Sequence, residues 1–222
     1  MKLRTLAAVT ALLLSSSLAS AAPSMMTVAS FDQLLLNKNG DNQGQINLVQ
    51  SLSNSLLINF DISFTGNVDK NDFAALWLNS YQGPNMGIKG NKDCGSCTDD
   101  LFVRNSGSAG SFGLGSNVTP GTSYHLMGLL EKVNSSNYNR FSLWIDPTAD
   151  ETFSLKGADA VSLDNSGLST ISSLGFRTAN LDAGDSVSFR NLNVSVVPEP
   201  ASLALVSLGL GLLGLSAKRR RA

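Results

Sequence analysis

The chain has 222 residues, with 16 lysines and arginines, 17 aspartates and glutamates, one histidine and two cysteines. Six basic residues lie at the two ends; without them, and with Glu199 set aside, ten basic and 16 acidic residues remain, a net charge of about −6. An acidic middle region argues against a nucleic-acid partner, and one histidine with two cysteines cannot build an ordinary zinc site.

The N-terminal segment has the three parts of a secretory signal peptide. Lys2 and Arg4 provide the positive charge, residues 6–14 form a short apolar run, and Ala19-Ser20-Ala21 places small residues at the −3 and −1 positions. We therefore expect signal peptidase to remove residues 1–21 during export. The alternative, a short buried helix, requires neither the charges nor the small residues.

The middle of the chain predicts an antiparallel β-sandwich. In residues 56–64 every even position is large and apolar, while the odd positions become polar after Leu57, as in a strand with one buried face. Turn-forming residues recur about every ten residues with no helical period between them. We expect one domain over residues 22–196, with further strands at 73–78, 124–130, 141–145, 174–178 and 187–196, and a β-bulge near Asn191.

Two stretches of this region resemble a known family. Tyr124-His125-Leu126-Met127-Gly128 is followed by Arg140-Phe141-Ser142-Leu143-Trp144-Ile145-Asp146-Pro147, and later by residues 171–176 and 189–194. This order is similar to the C-terminal half of concanavalin A-like (laminin-G-like) jelly rolls of exported bacterial proteins. The resemblance, over about residues 55–196, implies a jelly-roll sandwich. Arg190 departs from the pattern, which usually has Asp there, and this weakens the case for a polar or metal contact at that position.

The two cysteines, Cys94 and Cys97, are two residues apart in a loop rich in aspartate. In an oxidising compartment such a pair is expected to form a local disulfide. A reduced, metal-associated or redox-active pair is the alternative, but neighbouring carboxylates raise a thiol pKa and disfavour redox activity.

Asp69, Asn71 and Asp72 place oxygen ligands close together, as a calcium loop does. The remainder of the EF-hand pattern is missing, since Asp72 stands where that loop requires glycine. A plain acidic turn before the next strand is the competing interpretation. We expect no other cofactor.

The enzymatic alternatives lack their motifs. The paired carboxylates of glycosidases on this fold, Glu-x-Asp-x-x-Glu, do not occur, and His125 has no Gly-x-Ser-x-Gly serine to act with. Trp144, Trp77 and Tyr138 are candidates for stacking on sugars, although a sandwich also buries such rings. By alternation Trp144 faces away from Phe141 and Leu143, towards either the surface or a second core.

The C-terminus combines three features. Pro198, Glu199 and Pro200 precede an uncharged run over residues 201–217, and Lys218, Arg219, Arg220 and Arg221 follow it. Seventeen helical residues reach roughly 25 Å, the short end of what spans a bilayer. The basic cluster favours the cytoplasmic side, which places the domain outside the inner membrane.

These features resemble the PEP-CTERM sorting signal, here residues 197–222. The resemblance implies recognition of Pro198-Glu199-Pro200 by an exosortase, which removes the tail and releases or transfers the protein. We therefore expect a non-catalytic protein, anchored transiently in the inner membrane and delivered to the cell surface or extracellular matrix, that binds exopolysaccharide or acts in adhesion. The alternatives are a polysaccharide-modifying enzyme with an unrecognised site and a permanently anchored periplasmic protein.

Overall fold

A computed structural model describes residues 25–90, 99–107 and 110–197. Several predicted features lie outside these residues: the signal peptide over 1–21, the disulfide between Cys94 and Cys97, the Pro-Glu-Pro tripeptide, the membrane helix over 201–217 and the basic tail over 218–221. Within the described ranges, no helix has both the length and the apolarity needed to cross a bilayer.

The described residues form twelve strands and one short helix. In chain order these are β1 (Met26–Leu36), β2 (Gly40–Leu52), β3 (Leu56–Thr65), β4 (Phe73–Leu78), β5 (Asn85–Lys89), β6 (Leu101–Arg104), β7 (Ser111–Phe112), β8 (Ser123–Glu131), β9 (Arg140–Ile145), α1 (Ala149–Ser154), β10 (Ala160–Ser162), β11 (Ile171–Ala179) and β12 (Ser186–Val196). The predicted strands correspond to β3, β4, β8, β9, β11 and β12, within a few residues at each end.

The strands form two six-stranded sheets. The first sheet has the order β1-β12-β3-β8-β9-β10 and the second the order β2-β11-β4-β5-β6-β7. All the pairings in both sheets are antiparallel. Along the strands the chain changes sheet six times: between β1 and β2, β2 and β3, β3 and β4, β7 and β8, β10 and β11, and β11 and β12. The predicted all-β antiparallel sandwich is therefore confirmed.

The main core lies between the sheets and follows from alternation. On β3 the even residues predicted to be buried are fully enclosed, and they pack against inward residues of the second sheet. The Phe189 ring lies 5.7 Å from that of Phe60 on β3 and 4.5 Å from that of Phe176 on β11, so it joins the two layers. Each such side chain contributes about 1.5–3 kcal/mol through burial.

The predicted bulge occurs at Asn191. The pairing of β12 with β3 shifts register between Arg190 and Asn193, and Asn191 has a φ of 53°. The extra residue reverses the alternation, so that Phe189 before the bulge and Leu192 after it are both buried in the same core. Asparagine suits this position because it tolerates the left-handed conformation better than most residues.

A second, smaller core lies on the outer face of the first sheet. Trp144 packs there with Leu57, Met127 and Leu129, and residues after α1 cover it. Trp144 thus faces away from Phe141 and Leu143, which belong to the main core. Of the two predicted environments for this ring, the second core is the one observed.

The sandwich is hydrogen-bonded up to its last described residue. The N–H of Val197 donates to the carbonyl of Ser55 at 2.9 Å, and Val197 packs against the second core. The sandwich therefore extends at least as far as Val197.

Candidate functional site

The outer face of the second sheet has a buried apolar floor at its centre. On β4, Ala74 and Leu76 point into the main core, so Phe73 and Trp77 face outwards by alternation. Phe73 packs there with Phe102 of β6. Gly175 of β11 makes room for the indole of Trp77, because a Cβ at this position would lie 2.4 Å from the ring.

Two arginines lie over this floor. The guanidinium carbon of Arg104 on β6 is 5.3 Å from the centre of the Phe73 ring and 5.6 Å from that of Phe102. The guanidinium carbon of Arg177 on β11 is 5.4 Å from the centre of Phe73 and 5.2 Å from that of Tyr81. Phe73 therefore contacts both cations, and cation–π contacts of this kind contribute about 0.5–2 kcal/mol each.

The charges on this face are close enough to influence one another. Burial lowers the pKa of Arg104, and the positive charge of Arg177 lowers it further. Burial likewise lowers the pKa of Lys89 on β5, with the charge of Arg104 as the second cause. The carboxylate of Asp41 on β2 offsets part of this repulsion, since its Oδ1 lies 2.8 Å from Nε of Arg177.

Two cavities open over the arginines. One, of about 480 Å³, is lined by Tyr81, Gln82, Arg104, Gly107 and Arg177. The other, of about 250 Å³, is lined by Asn71, Phe73, Lys89, Arg104, Arg177, Ala179 and Asn180. Arg104 and Arg177 line both cavities. The two cavities are therefore the two ends of one depression along β4 and β11, which we call the front groove.

Two asparagines line the smaller cavity of the front groove. Both Asn71 and Asn180 have positive φ, and Nδ2 of Asn180 donates to the carbonyl of Asn71 at 2.8 Å. Together with the guanidinium groups and the half-buried Tyr81, they offer the hydrogen-bonding groups that bind sugar hydroxyls and anionic substituents. The described lining of the groove contains no aspartate, glutamate or histidine, the usual groups for acid–base catalysis.

The structure corrects the predicted stacking residues. Trp144, Trp77 and Tyr138 are only 1%, 2% and 0% exposed, so their faces are not accessible to a sugar. Each polar atom has a backbone partner instead: Nε1 of Trp144 donates to Lys156 O at 2.9 Å, Nε1 of Trp77 to Asp41 O at 2.7 Å, and the Tyr138 hydroxyl to Asn54 O at 2.8 Å. All three are packing residues. Trp77 nevertheless supports the groove, because it holds the backbone of Asp41.

The calcium candidate is not assembled as the sequence analysis suggested. Asp72 is buried, and its Oδ2 accepts a hydrogen bond from the N–H of Asp69 at 2.6 Å, which closes the turn before β4. The carbonyl of Asn71 is bound by Asn180. Among the described residues there is no group of three acidic, histidine or cysteine side chains suited to a metal ion. Asp69, Asn71 and Asp72 thus lie in a turn, and calcium binding by them stays a prediction.

His125 has partners that sequence reasoning did not find. Its Nδ1 lies 2.6 Å from Oδ1 of Asp61 on β3, and Nδ2 of Asn191 donates to the other oxygen of Asp61 at 2.6 Å. The array is on the outer face of the first sheet, opposite the front groove. The β-bulge at Asn191 accounts for one of these contacts, because it brings the side chain of Asn191 to Asp61.

The residues of the front groove were also missed. Arg104, Arg177 and Asp41 lie far apart in the sequence and in no motif, and only the pairing of β2, β11, β4, β5 and β6 brings them together. The one indication available earlier was the alternation of β4, which places Phe73 and Trp77 on the face opposite Leu76.

Comparison with known proteins adds one family feature. The model of the PEP-CTERM protein-sorting motif matches residues 196–221, which confirms the predicted sorting signal. No curated protein matches the sequence.

Several solved structures are similar to the sandwich. The VIP36 exoplasmic/lumenal domain in its Ca2+/Man3GlcNAc-bound form is 11% identical, covers 79% of this chain and 85% of its own, and has a TM-score of 0.45. The Emp47p carbohydrate recognition domain is 10% identical, covers 79% of this chain and 87% of its own, and has a TM-score of 0.41. The endo-beta-1,4-glucuronan lyase of the fungus Trichoderma reesei is 11% identical, covers 81% of this chain and 92% of its own, and has a TM-score of 0.43.

Proposed function

We propose that this chain is an exported, non-catalytic module that binds polysaccharide in the front groove and is delivered to the cell envelope or extracellular matrix by exosortase processing. The observation that carries the binding role is the groove itself: paired guanidinium groups, amide side chains and a half-buried tyrosine around an open depression. Its size, about 480 Å³ at the larger end, is in the range that holds a few sugar units.

The finer fold assignment also belongs to this proposal. The order of strands, with β1 and β12 adjacent in one sheet and repeated crossings between sheets, supports a jelly roll of the concanavalin A-like class. Function does not follow from this class, and the proposal rests on the groove.

Binding without catalysis has a direct test. The purified exported protein, incubated with the exopolysaccharide of its own host, should be retained on the polymer while the polymer keeps its size distribution in size-exclusion chromatography. Retention follows from the hydrogen-bonding groups of the groove, and the unchanged size from the lack of aspartate, glutamate and histidine in its described lining. Shortening of the polymer would support the enzymatic alternative.

Sorting has a separate test, the intact mass of the mature protein. The wild-type protein should lack residues 1–21 and the basic tail. A variant with Pro198→Ala, Glu199→Gln and Pro200→Ala should be exported but keep its tail, since the recognition tripeptide is gone. The matched control is Pro120→Ala, in an exposed loop, which should be processed normally. A wild-type protein that retains Lys218–Arg221 would instead indicate a permanent membrane anchor.

A further inference from the structure

Another depression lies at the open edge of the sandwich. β1 and β2 are edge strands of the first and the second sheet, and a cavity of about 260 Å³ is lined by residues of these two strands. The lining is mostly apolar and consists of Met26, Thr27, Val28, Leu48, Val49, Gln50 and Leu52. We call this depression the edge groove.

The rim of the edge groove exposes apolar side chains. Met26 is 57% exposed and Val49 is completely exposed, and Met25, directly before β1, is exposed as well. Single apolar side chains are common on protein surfaces, but these gather beside one apolar depression. Such a patch is typical of a surface that meets a protein partner or a membrane.

The strand ends around the edge groove carry no charge. Residues 22–31, 42–60 and 191–198 contain no aspartate, glutamate, lysine or arginine. These ranges cover the start of β1, most of β2, the start of β3 and the end of β12. No ionic group of these segments would therefore have to leave water if this end of the sandwich entered an apolar phase.

Charges begin at the neighbouring corner and accumulate at the opposite end of the sandwich. The corner formed by the end of β8 and the start of β9 carries Glu131, Lys132 and Arg140. Glu131 and Arg140 face each other across these strands, which leaves one net positive charge. The opposite end, in the turns after β3 and before β12, gathers Asp69, Asp72, Asp182 and Asp185. The sandwich is thus uncharged at one end and acidic at the other.

The C-terminal segment leaves the domain at the uncharged end. Val196 pairs with Met26, on the rim of the edge groove. Three residues separate Val197 from residues 201–217, which the sequence predicts to span the membrane. While that segment is inserted, so short a connection keeps the edge groove beside the lipid, whereas the acidic end lies roughly 30 Å away along the ten residues of β3.

We infer that the edge groove docks on the outer leaflet of the inner membrane before exosortase processing, with Met25, Met26 and Val49 entering the lipid–water interface. The backbone groups at the free edges of β1 and β2 need hydrogen-bond partners, so docking stops at the interface, where water and lipid headgroups supply them. The inference goes beyond polysaccharide binding, and it rests on the predicted insertion of residues 201–217.

The test uses the full-length chain, reconstituted into vesicles of phosphatidylethanolamine and phosphatidylglycerol. Val49→Cys is labelled with an environment-sensitive fluorophore, and a fraction of the phospholipid carries a spin label high on its acyl chain. The emission of the Val49 probe should shift to shorter wavelength, and the spin-labelled lipid should quench it, because this side chain enters the interface. Wild-type protein treated with the same fluorophore measures any labelling of Cys94 and Cys97.

The matched control is Leu114→Cys. Leu114 is also exposed, but the adjacent Gly113 lies against Ile145, and Ile145 ends β9 on the side away from Arg140. A probe at Leu114 should therefore remain in water, with neither a shift nor quenching.

A change of charge tests the docking itself. Met26→Asp should lower the ratio of docked to undocked protein about tenfold, the equivalent of keeping one apolar side chain out of the interface. The quenching of the Val49 probe should fall accordingly, whereas Met26→Leu, which stays apolar, should keep it. Circular dichroism checks that both variants are folded, and unchanged quenching in a folded Met26→Asp protein would contradict the inference.

The outcomes separate this inference from the proposed function. A wavelength shift without quenching by lipid would indicate a protein occupant, either a second copy or another segment of the chain, and would overturn lipid docking. A probe that stays in water on vesicle-bound protein would overturn docking and leave sorting and polysaccharide binding intact. Protein that fails to float with the vesicles would overturn the predicted insertion, and docking with it.

Discussion

Replacing Trp144 by alanine is expected to lower the free energy of unfolding by about 3–5 kcal/mol, the range for truncating a large buried aromatic residue. Trp144 is enclosed by Leu57, Met127 and Leu129, and its Nε1 donates to Lys156 O. The truncation would leave a cavity between the first sheet and the segment after α1, and would leave that carbonyl without its donor. The measurement is chemical denaturation followed by fluorescence or circular dichroism.

This variant also decides between packing and sugar stacking for the ring. At a temperature where the variant is still folded, its binding to polysaccharide should equal that of the wild type. The matched change is Tyr81→Ala, at the half-buried ring beside Arg177, which should weaken binding with a much smaller loss of stability. A Trp144→Ala protein with normal stability and lost binding would reinstate the stacking hypothesis.

Replacing Tyr138 by phenylalanine is expected to change both stability and its dependence on pH. The hydroxyl donates to Asn54 O at 2.8 Å in a fully buried site. Removing it leaves this carbonyl without that donor, which should cost about 1–3 kcal/mol at neutral pH. The same chemical denaturation experiment at pH 7 measures this loss.

The pH dependence follows from the pKa of Tyr138. Burial raises this pKa to about 12, from 10.0 in the unfolded chain. Between these values the unfolded chain has lost the phenolic proton and the folded protein has kept it, so the unfolded state gains stability as pH rises. This group should therefore make stability fall by up to about 1.4 kcal/mol per pH unit within that window.

The Tyr138→Phe protein has no such proton to lose. Its stability should fall less steeply than that of the wild type between pH 10 and pH 12, while the two curves run parallel at lower pH. Parallel curves through the alkaline range would contradict the burial argument.

The strands with a strong one-sided pattern could be predicted from the sequence. β3 and β12 each present a continuous apolar face to the core, and even the bulge at Asn191 was visible because the apolar positions change phase there. Alternation placed Trp144 correctly on the face opposite Phe141. It could not decide whether that face is exposed, because the covering segment after α1 is set by tertiary packing.

The strands that were missed carry weaker patterns. β1 and β2 are long but largely exposed, and each pairs with only one neighbour, so their side chains are not constrained to alternate. α1 has a local signal that was overlooked: Thr148 and Glu151 form a reciprocal capping box. With six residues and none buried, the helix leaves no apolar periodicity to detect.

The front groove could not have been predicted from the sequence, for a different reason. Its arginines come from β6 and β11, which are separated in the second sheet by β4 and β5, and their common neighbour Phe73 lies on β4. Such a site depends on strand order, and strand order is a property of the whole sandwich.

The hydrogen bond from Val197 to Ser55 also limits how far the domain could stand from a bilayer. If residues 201–217 are inserted as the sequence predicts, the four peptide units between Val197 and Ala201 could extend by about 14 Å at most. This tether is about as long as a lipid headgroup layer is thick. Until its release, the sandwich would be held with the Ser55 end of β3 against the lipid surface, and an enzyme acting on the tether would have to work in the narrow gap beneath it.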